Sequence, residues 1–456
     1  MRFYIIESQR TQMNNFTKIG FILATLGSSI GLGHIWRFPY MAGESGGGAF
    51  VVLYVILTIA IGIPILVAKM IIGNKTQKNA VAAFKELDKT ARQHWHKAGL
   101  MIVGGPIILT YYAVILGWIF YYLFIGSFAL PQSADESKAL YDNLVSQNFI
   151  ACVVSFAFCL FFTAFIVSKG VKNGLEKYNL ILMPILFIIF VGLFFYAMSM
   201  DSFGRAAQFL FKFEISKITP SVVIIALSQV FFSLSLGVGT IITYSSSAKK
   251  GENLLSSAAW IALSGIVISI IAGLVIFTFL FEHGQEASAG AGMLFISLPI
   301  VFGDMSYGWV ISFLFFLAVL FAGITSTISI LEPPVAYFAN TYRVSRAKIA
   351  YAITLLIFAV GILVILSFSA KYGKYLTFFD RTLFEWMDFV CAAIIMPLGA
   401  LSALIFITYF VKKQVVYKFA RSFMNRRLFN AWYGIVKFVA PVVIIAVLVW
   451  KFVDMF

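Results

Sequence analysis

The sequence predicts an all-α polytopic membrane protein, and three observations carry that expectation. Hydrophobic residues make up 61% of the 456 residues and charged residues 12%, with 49 phenylalanines and a mean hydropathy of +0.94. A water-soluble domain has no place for so much apolar surface. The apolar residues are gathered into segments of about twenty or more, the length a helix needs to cross a bilayer. Two of those segments carry a glycine-rich break at their centre.

Hydropathy places spans at 16–40, 48–73, 98–128, 148–167, 176–199, 220–247, 255–282, 307–339, 347–369, 376–411 and 429–453. The first is too long, and too polar inside, for a cleaved signal peptide. Between spans seven and eight, Leu294-Phe295-Ile296-Ser297-Leu298-Pro299 is too short to cross and reads as a re-entrant or surface helix over one face, a candidate lid. The net charge of +15 is concentrated in loops. Lys75, Lys78, Lys85, Lys89, Arg92 and Lys97 fall in one, and Lys412, Lys413, Lys418, Arg421, Arg426 and Arg427 in another. With eleven spans, both loops fall on one side and the acidic loops holding Asp135, Glu136, Asp142, Glu282, Glu286 and Asp304 on the other. Retention of basic loops inside explains this better than a nucleic-acid partner and puts the N-terminus in the cytoplasm, in a multi-pass protein of the cell inner membrane. Cys152, Cys159 and Cys391 lie within apolar segments without motif spacing, as packing residues do.

The first break is Gly27-Ser28-Ser29-Ile30-Gly31-Leu32-Gly33-His34-Ile35-Trp36-Arg37. Clustered glycines weaken a helix, and lipid cannot satisfy the backbone groups a break exposes. Ser29-Ile30-Gly31-Leu32-Gly33 is echoed in the sixth span by Ser235-Leu236-Gly237-Val238-Gly239. Five spans separate the two, so the halves that contain them run in opposite directions. Matching interrupted spans in inverted halves point to a midplane binding site of a secondary transporter.

Gly27 to Pro39, Glu44-Ser45-Gly46-Gly47-Gly48-Ala49-Phe50, Gly62-Ile63-Pro64, Gln229 to Gly237 and Phe321-Ala322-Gly323-Ile324-Thr325-Ser326 together resemble the neurotransmitter:sodium symporter family, in its eleven-helix bacterial amino-acid branch. The resemblance implies a five-plus-five inverted repeat with helices one and six unwound. It divides the chain into a cytoplasmic segment 1–15, a first repeat 16–199, a second repeat 220–411 and an additional helix in 429–456. It implies a sodium-coupled symporter of a neutral, hydrophobic or aromatic amino acid that works by alternating access.

Residue by residue, the resemblance assigns one sodium site to Gly27, Ile30, Ala322, Thr325 and Ser326, all neutral oxygen donors. The other sodium site is altered. Ser29 and Ser233 remain, but His34 replaces an Asn, Gly265 replaces an Asn or Asp, and Lys69 stands where Glu is common. Acid and amide oxygens are thus exchanged for imidazole and ammonium, so that Lys69 or a protonated His34 does the work of one sodium ion. Lys69 also has a plainer reading, snorkelling to the surface near the end of its span. Tyr54, Gln229, Ser233 and Ser269 match a chloride-binding set, against a plain reading as helix–helix hydrogen bonds. The substrate falls among Ser29, Gly31, Gly33, Ile108, Tyr112, Ile115, Phe232, Ser233, Ser235, Val238, Ser326 and Ile330. Gly31 replaces the Asp of monoamine carriers, and Tyr112 matches the tyrosine that holds a substrate carboxylate. Arg37 and Asp388 form the expected outer gate. The inner gate departs from the pattern at Gln12, Asn15 and Asn340, with Arg10 nearby.

A non-transporting amino-acid receptor or a channel-like protein is the competing expectation, because both the first sodium site and the inner gate are altered. An enzyme is disfavoured. His94 and His96 lie in a basic loop, with no nucleophile–base spacing in a plausible pocket.

Overall fold

The glycines of the first span break it where the sequence says they should. Helix α1 (Lys18–Ser29) and helix α2 (Gly33–Glu44) meet at a bend of 51°. The computed structural model describes residues 16–92, 94–287 and 290–453. Helix α1 starts at Thr17, whose hydroxyl accepts from Gly20 N at 3.0 Å, as an N-cap should. It stops when Ile30 leaves helical geometry, at φ −80° and ψ 82°.

The following helices are α3 (Gly48–Thr76), α4 (His94–Gly126), α5 (Phe149–Ser168) and α6 (Val171–Met198). The sixth span is again two pieces, α7 (Pro220–Ser233) and α8 (Thr240–Ser246). Pro220 pre-sets the first turn of α7 and Thr219 caps it. Between the pieces Ser235 sits at φ +50°. Gly239 takes the left-handed conformation, φ +82°, that starts α8 and that glycine reaches without strain.

The second half continues with α9 (Leu254–Glu282) and the short α10 (Ser297–Asp304). It ends with α11 (Gly308–Tyr342), α12 (Arg346–Leu366), α13 (Leu383–Phe410) and α14 (Arg426–Lys451). Among the described residues, nine helices are long and apolar enough to cross a membrane, and α1–α2 supplies a tenth as a bent pair. The pair α7–α8 occupies the remaining expected segment.

The tenth span begins later than hydropathy suggested. Strand β1 (Thr377–Phe378) pairs antiparallel with β2 (Arg381–Thr382). Thr382 and Glu385 then form a capping box that sets the start of α13. Apolar side chains in that hairpin had extended the hydropathy window.

Helix α11 is the central post, packed on α1, α4, α5 and α6, while α3 carries α7 and α8. Helix α10 buries Leu298, Val301 and Phe302 against α11, so the short apolar piece covers one end of the bundle. The basic loops share the other end. Trp95 stacks on Phe410 with centroids 4.3 Å apart, and Lys75 lies 5.7 Å from the Phe419 ring.

Candidate functional site

Each break frees backbone groups that need partners, and the described side chains supply them. The Tyr112 hydroxyl accepts from Leu32 N at 3.3 Å. Ser235 Oγ donates to Ser28 O at 2.9 Å, so one break satisfies the other. Ser326 Oγ donates to Gly27 O at 3.4 Å. Gln229 Nε2 donates to Gly33 O at 2.6 Å. Lys69 Nζ donates to Leu236 O, in the unwound part of the sixth span. Residues from α3, α4, α7 and α11 thus converge on two short stretches of open backbone.

Between the breaks lies a cavity of about 40 Å³, lined by Ser28, Ser29, Gly31, Gly33, Ile108, Tyr112, Phe232, Ser235, Val238, Ser326, Ile330 and Met396. Little more than a water molecule fits such a volume, so the structure holds the centre contracted. Of the two glycines that line the cavity, Gly31 is the more tightly constrained. A Cβ there would run into Ser326 Oγ and stand 3.0 Å from the Tyr112 hydroxyl. Two expected wall residues lie elsewhere. Ile115 lines the next cavity, because seven residues along α4 from Ile108 is about 10 Å of rise. Ser233 points to α3, where Tyr54 OH is 3.3 Å from its Oγ. Ser28 and Met396 were not anticipated. Met396 is distant in sequence and carries no motif; the close approach of Gly237 to it places it in the wall.

The expected sodium ligands are neighbours. Helix α1 touches α11 where a Cβ on Gly27 would stand 3.0 Å from Thr325 Cβ. Thr325 Oγ1 donates back to Ala322 O at 3.0 Å. Asn179 of α6 also reaches this point and was not anticipated. Its Nδ2 donates to Leu175 O at 2.7 Å, while its buried Oδ1 is unpartnered and lies against Gly27.

The altered set is also brought together in part. The His34 ring fills the space that Gly265 leaves, with its Nε2 2.5 Å from where a Cβ would be. His34 is buried, and Ser28 Oγ and Ser29 Oγ are buried without a partner. Ser233 Oγ donates to Gln229 O at 2.7 Å, which leaves Tyr54 as donor to Ser233. Ser269 is buried with its hydroxyl beside that of Tyr54. Lys69 is wholly buried. It does not snorkel: its side chain turns inward because a freed carbonyl awaits it there.

Above the central cavity lies a larger one of about 370 Å³, lined by Leu32, Trp36, Arg37, Tyr40, Met41, Tyr111, Tyr112, Ile115, Phe232, Phe384, Glu385 and Asp388. Tyr112 and Phe232 belong to both cavities and form the partition. The Arg37 guanidinium lies 4.7 Å from the centre of the Phe232 ring and donates to Gln229 Oε1 at 3.3 Å. Asp388 shares this cavity, but Arg37–Asp388 is not among the ion pairs closed between described residues.

The opposite end is tied shut. Thr17 N and Thr17 Oγ1 donate to Glu176 Oε1 at 3.2 and 2.5 Å, and Phe16 N donates to Ser247 O at 3.0 Å. Of the positions singled out for the inner gate, Arg10, Gln12 and Asn15 lie outside the described residues, and Asn340 is exposed.

This arrangement has close counterparts. The sequence matches the profile of the Sodium:neurotransmitter symporter family over residues 10–137 and 143–456. The chain belongs to that family. It is 36% identical to an uncharacterized sodium-dependent transporter of Bacillus subtilis, YhdH, over 94% of this chain and 96% of that protein. An uncharacterized sodium-dependent transporter of Haemophilus influenzae is 33% identical over 95% and 96%. A crystal structure of MhsT in complex with L-phenylalanine aligns with a TM-score of 0.87 at 33% identity, covering 97% of this chain and 99% of that one. The symporter is therefore a multi-pass membrane transporter rather than an enzyme. Among its described residues no group of three or more His, Cys, Asp or Glu could hold a metal ion.

Proposed function

We propose that this symporter couples the uptake of a neutral amino acid with a hydrophobic or aromatic side chain to sodium, by alternating access across the bacterial inner membrane. One observation carries the reading. The Tyr112 hydroxyl and Leu32 N–H meet at the first break, beside a Gly31 position that leaves no room for a side chain. An amino acid brings its own carboxylate to such a place. The N–H groups at the start of α2 supply a positive dipole end for it. The wall of Ile108, Val238, Ile330 and Met396 suits an apolar side chain.

Sodium is carried as a co-substrate. The carbonyls of Gly27, Ile30 and Ala322 and the hydroxyls of Thr325 and Ser326 fit a hard monovalent cation, since neutral oxygens replace its hydration shell. The unpartnered Asn179 Oδ1 beside Gly27 offers one more. The second set does not fit, and no step is routed through it.

The basic end, which carries the 74–97 and 412–428 loops and the N-terminus, is the cytoplasmic one by charge. The larger cavity then opens outward. Substrate enters there, Phe232 and Tyr112 give way, and closure of Arg37 toward Asp388 traps it. Release needs the Thr17–Glu176 contact to open. A receptor or channel reading has no comparable support, since the inner end is closed by direct contacts.

A chloride role rests on one further observation, the gathering of buried hydroxyls from Tyr54, Ser233 and Ser269 in one place. If it holds, replacing chloride with gluconate lowers uptake. Unchanged uptake rules it out.

The test is a binding screen of the natural amino acids on the purified protein, with sodium and with choline in its place. Sodium-dependent binding of apolar or aromatic amino acids is expected. Binding of none of them, or equal binding in choline, contradicts the proposal.

A further inference from the structure

Lys69 is a wholly buried lysine inside a membrane span. Among the described residues no carboxylate lies within ion-pair distance of it. An ammonium at that depth is expensive unless protein groups replace its water. What it has is Leu236 O. That carbonyl is free because the sixth span is unwound between α7 and α8, just past the C-terminal end of α7, where helix dipoles leave partial negative charge. This is a place for a cation, and the cation is covalently attached.

The neighbouring changes agree. A sodium ion near Ser29 and Ser233 needs further oxygens. At the two positions where the family resemblance expects them the chain has an imidazole, His34, and no side chain at all, Gly265. The His34 ring occupies the very space Gly265 opens. A nitrogen-bearing ring in that gap offers no oxygen to an alkali cation. The donor set that the family resemblance implies for a second sodium is therefore incomplete at the first break, while the Lys69 amine is seated on Leu236 O at the other.

We infer that the Lys69 ammonium, seated on Leu236 O at the break in the sixth span, takes the place of one sodium ion, so that this symporter binds and carries a single sodium with each substrate. The inference rests on the sodium-symport reading above and names which residue performs the missing ion's work. His34 serves to fill the vacated volume. Lys69 holds the unwound segment in its binding shape.

The test is equilibrium binding of radioactive sodium to the purified full-length protein, with choline chloride keeping ionic strength constant. Saturation at about one equivalent per chain is expected, abolished in Thr325→Ala/Ser326→Ala. Two equivalents overturn the inference and leave sodium symport standing. No saturable sodium binding in the unaltered protein overturns both. The second arm is Lys69→Gln with L-phenylalanine as probe. The variant is expected to keep its one sodium equivalent, which reports a folded second site. Its affinity for the probe should fall by about tenfold or more, and raising sodium should not restore it. Unchanged affinity, or full recovery at high sodium, overturns the role of Lys69. If Lys69→Gln loses the fold, or the probe does not bind, the stoichiometry of the unaltered protein decides alone.

Discussion

Tyr112 and Gly31 show how single residues set what the site accepts. Tyr112 OH holds the freed Leu32 N–H and stands next to the space where a side chain on Gly31 would be. Tyr112→Phe keeps the ring and removes the hydroxyl. A hydrogen bond to a charged group contributes about 1.5–3 kcal/mol, so amino-acid affinity should fall about tenfold to a hundredfold in a direct binding assay. Gly31→Ala should abolish binding outright while thermal stability falls less, since its methyl would meet the flexible end of Ser326. Much of this was legible. Glycines, hydroxyls and a mid-span tyrosine announce themselves in an apolar sequence. The direction of Lys69 was not, because snorkelling and burial look alike until the carbonyl of Leu236 is placed. Asn179 and Met396 carried no signal, since an amide or thioether on an amphiphilic helix has many ordinary uses. Asn179→Leu is expected to weaken sodium binding severalfold, measured by sodium titration of thermal stability.

At the scale of elements, the two broken spans are positioned by close backbone contacts. A Cβ on Gly237 would meet Met396 Cβ and Cγ at 2.5 and 2.6 Å. Gly237→Ala must push the tenth span away from the break. Overpacking of this kind costs about 1–3 kcal/mol, and the variant should melt earlier and bind amino acid more weakly in the same preparation. The existence and order of the spans followed from hydropathy, because each buries or faces lipid over its whole length. Their ends did not. In the hairpin at 377–382, Phe378 and Phe379 offset Asp380 and Arg381 in a hydropathy window, and only its capping box shows where α13 starts. Arg37 and Asp388, the pair expected as an outer gate, line one cavity, but Arg37 is engaged with Gln229. Sequence gives the partners of a gate and not which of its states is populated.

Over the whole molecule, charge is sorted between the two ends and kept out of the middle, apart from a few buried groups. One is the Glu332–Arg346 ion pair, which ties α11 to α12 while Arg346 Nε also donates to Val167 O at 2.9 Å. Glu332 is 2% exposed, so Arg346→Met would strand a buried carboxylate. That change should cost about 3–5 kcal/mol, seen as a lower melting temperature, and Glu332→Gln in the same chain should recover part of it. With the Thr17–Glu176 contact, this pair fastens the basic end, and the larger cavity lies toward the other. A transporter that alternates between its two ends accumulates substrate only when an external gradient drives the cycle in one direction. The most direct measurement is uptake of L-phenylalanine by proteoliposomes under an imposed inward sodium gradient. Accumulation above the outside concentration, collapsed by a sodium ionophore and absent with potassium in place of sodium, is the predicted result. Uptake that merely equilibrates, or binding without any uptake, would contradict sodium-driven symport.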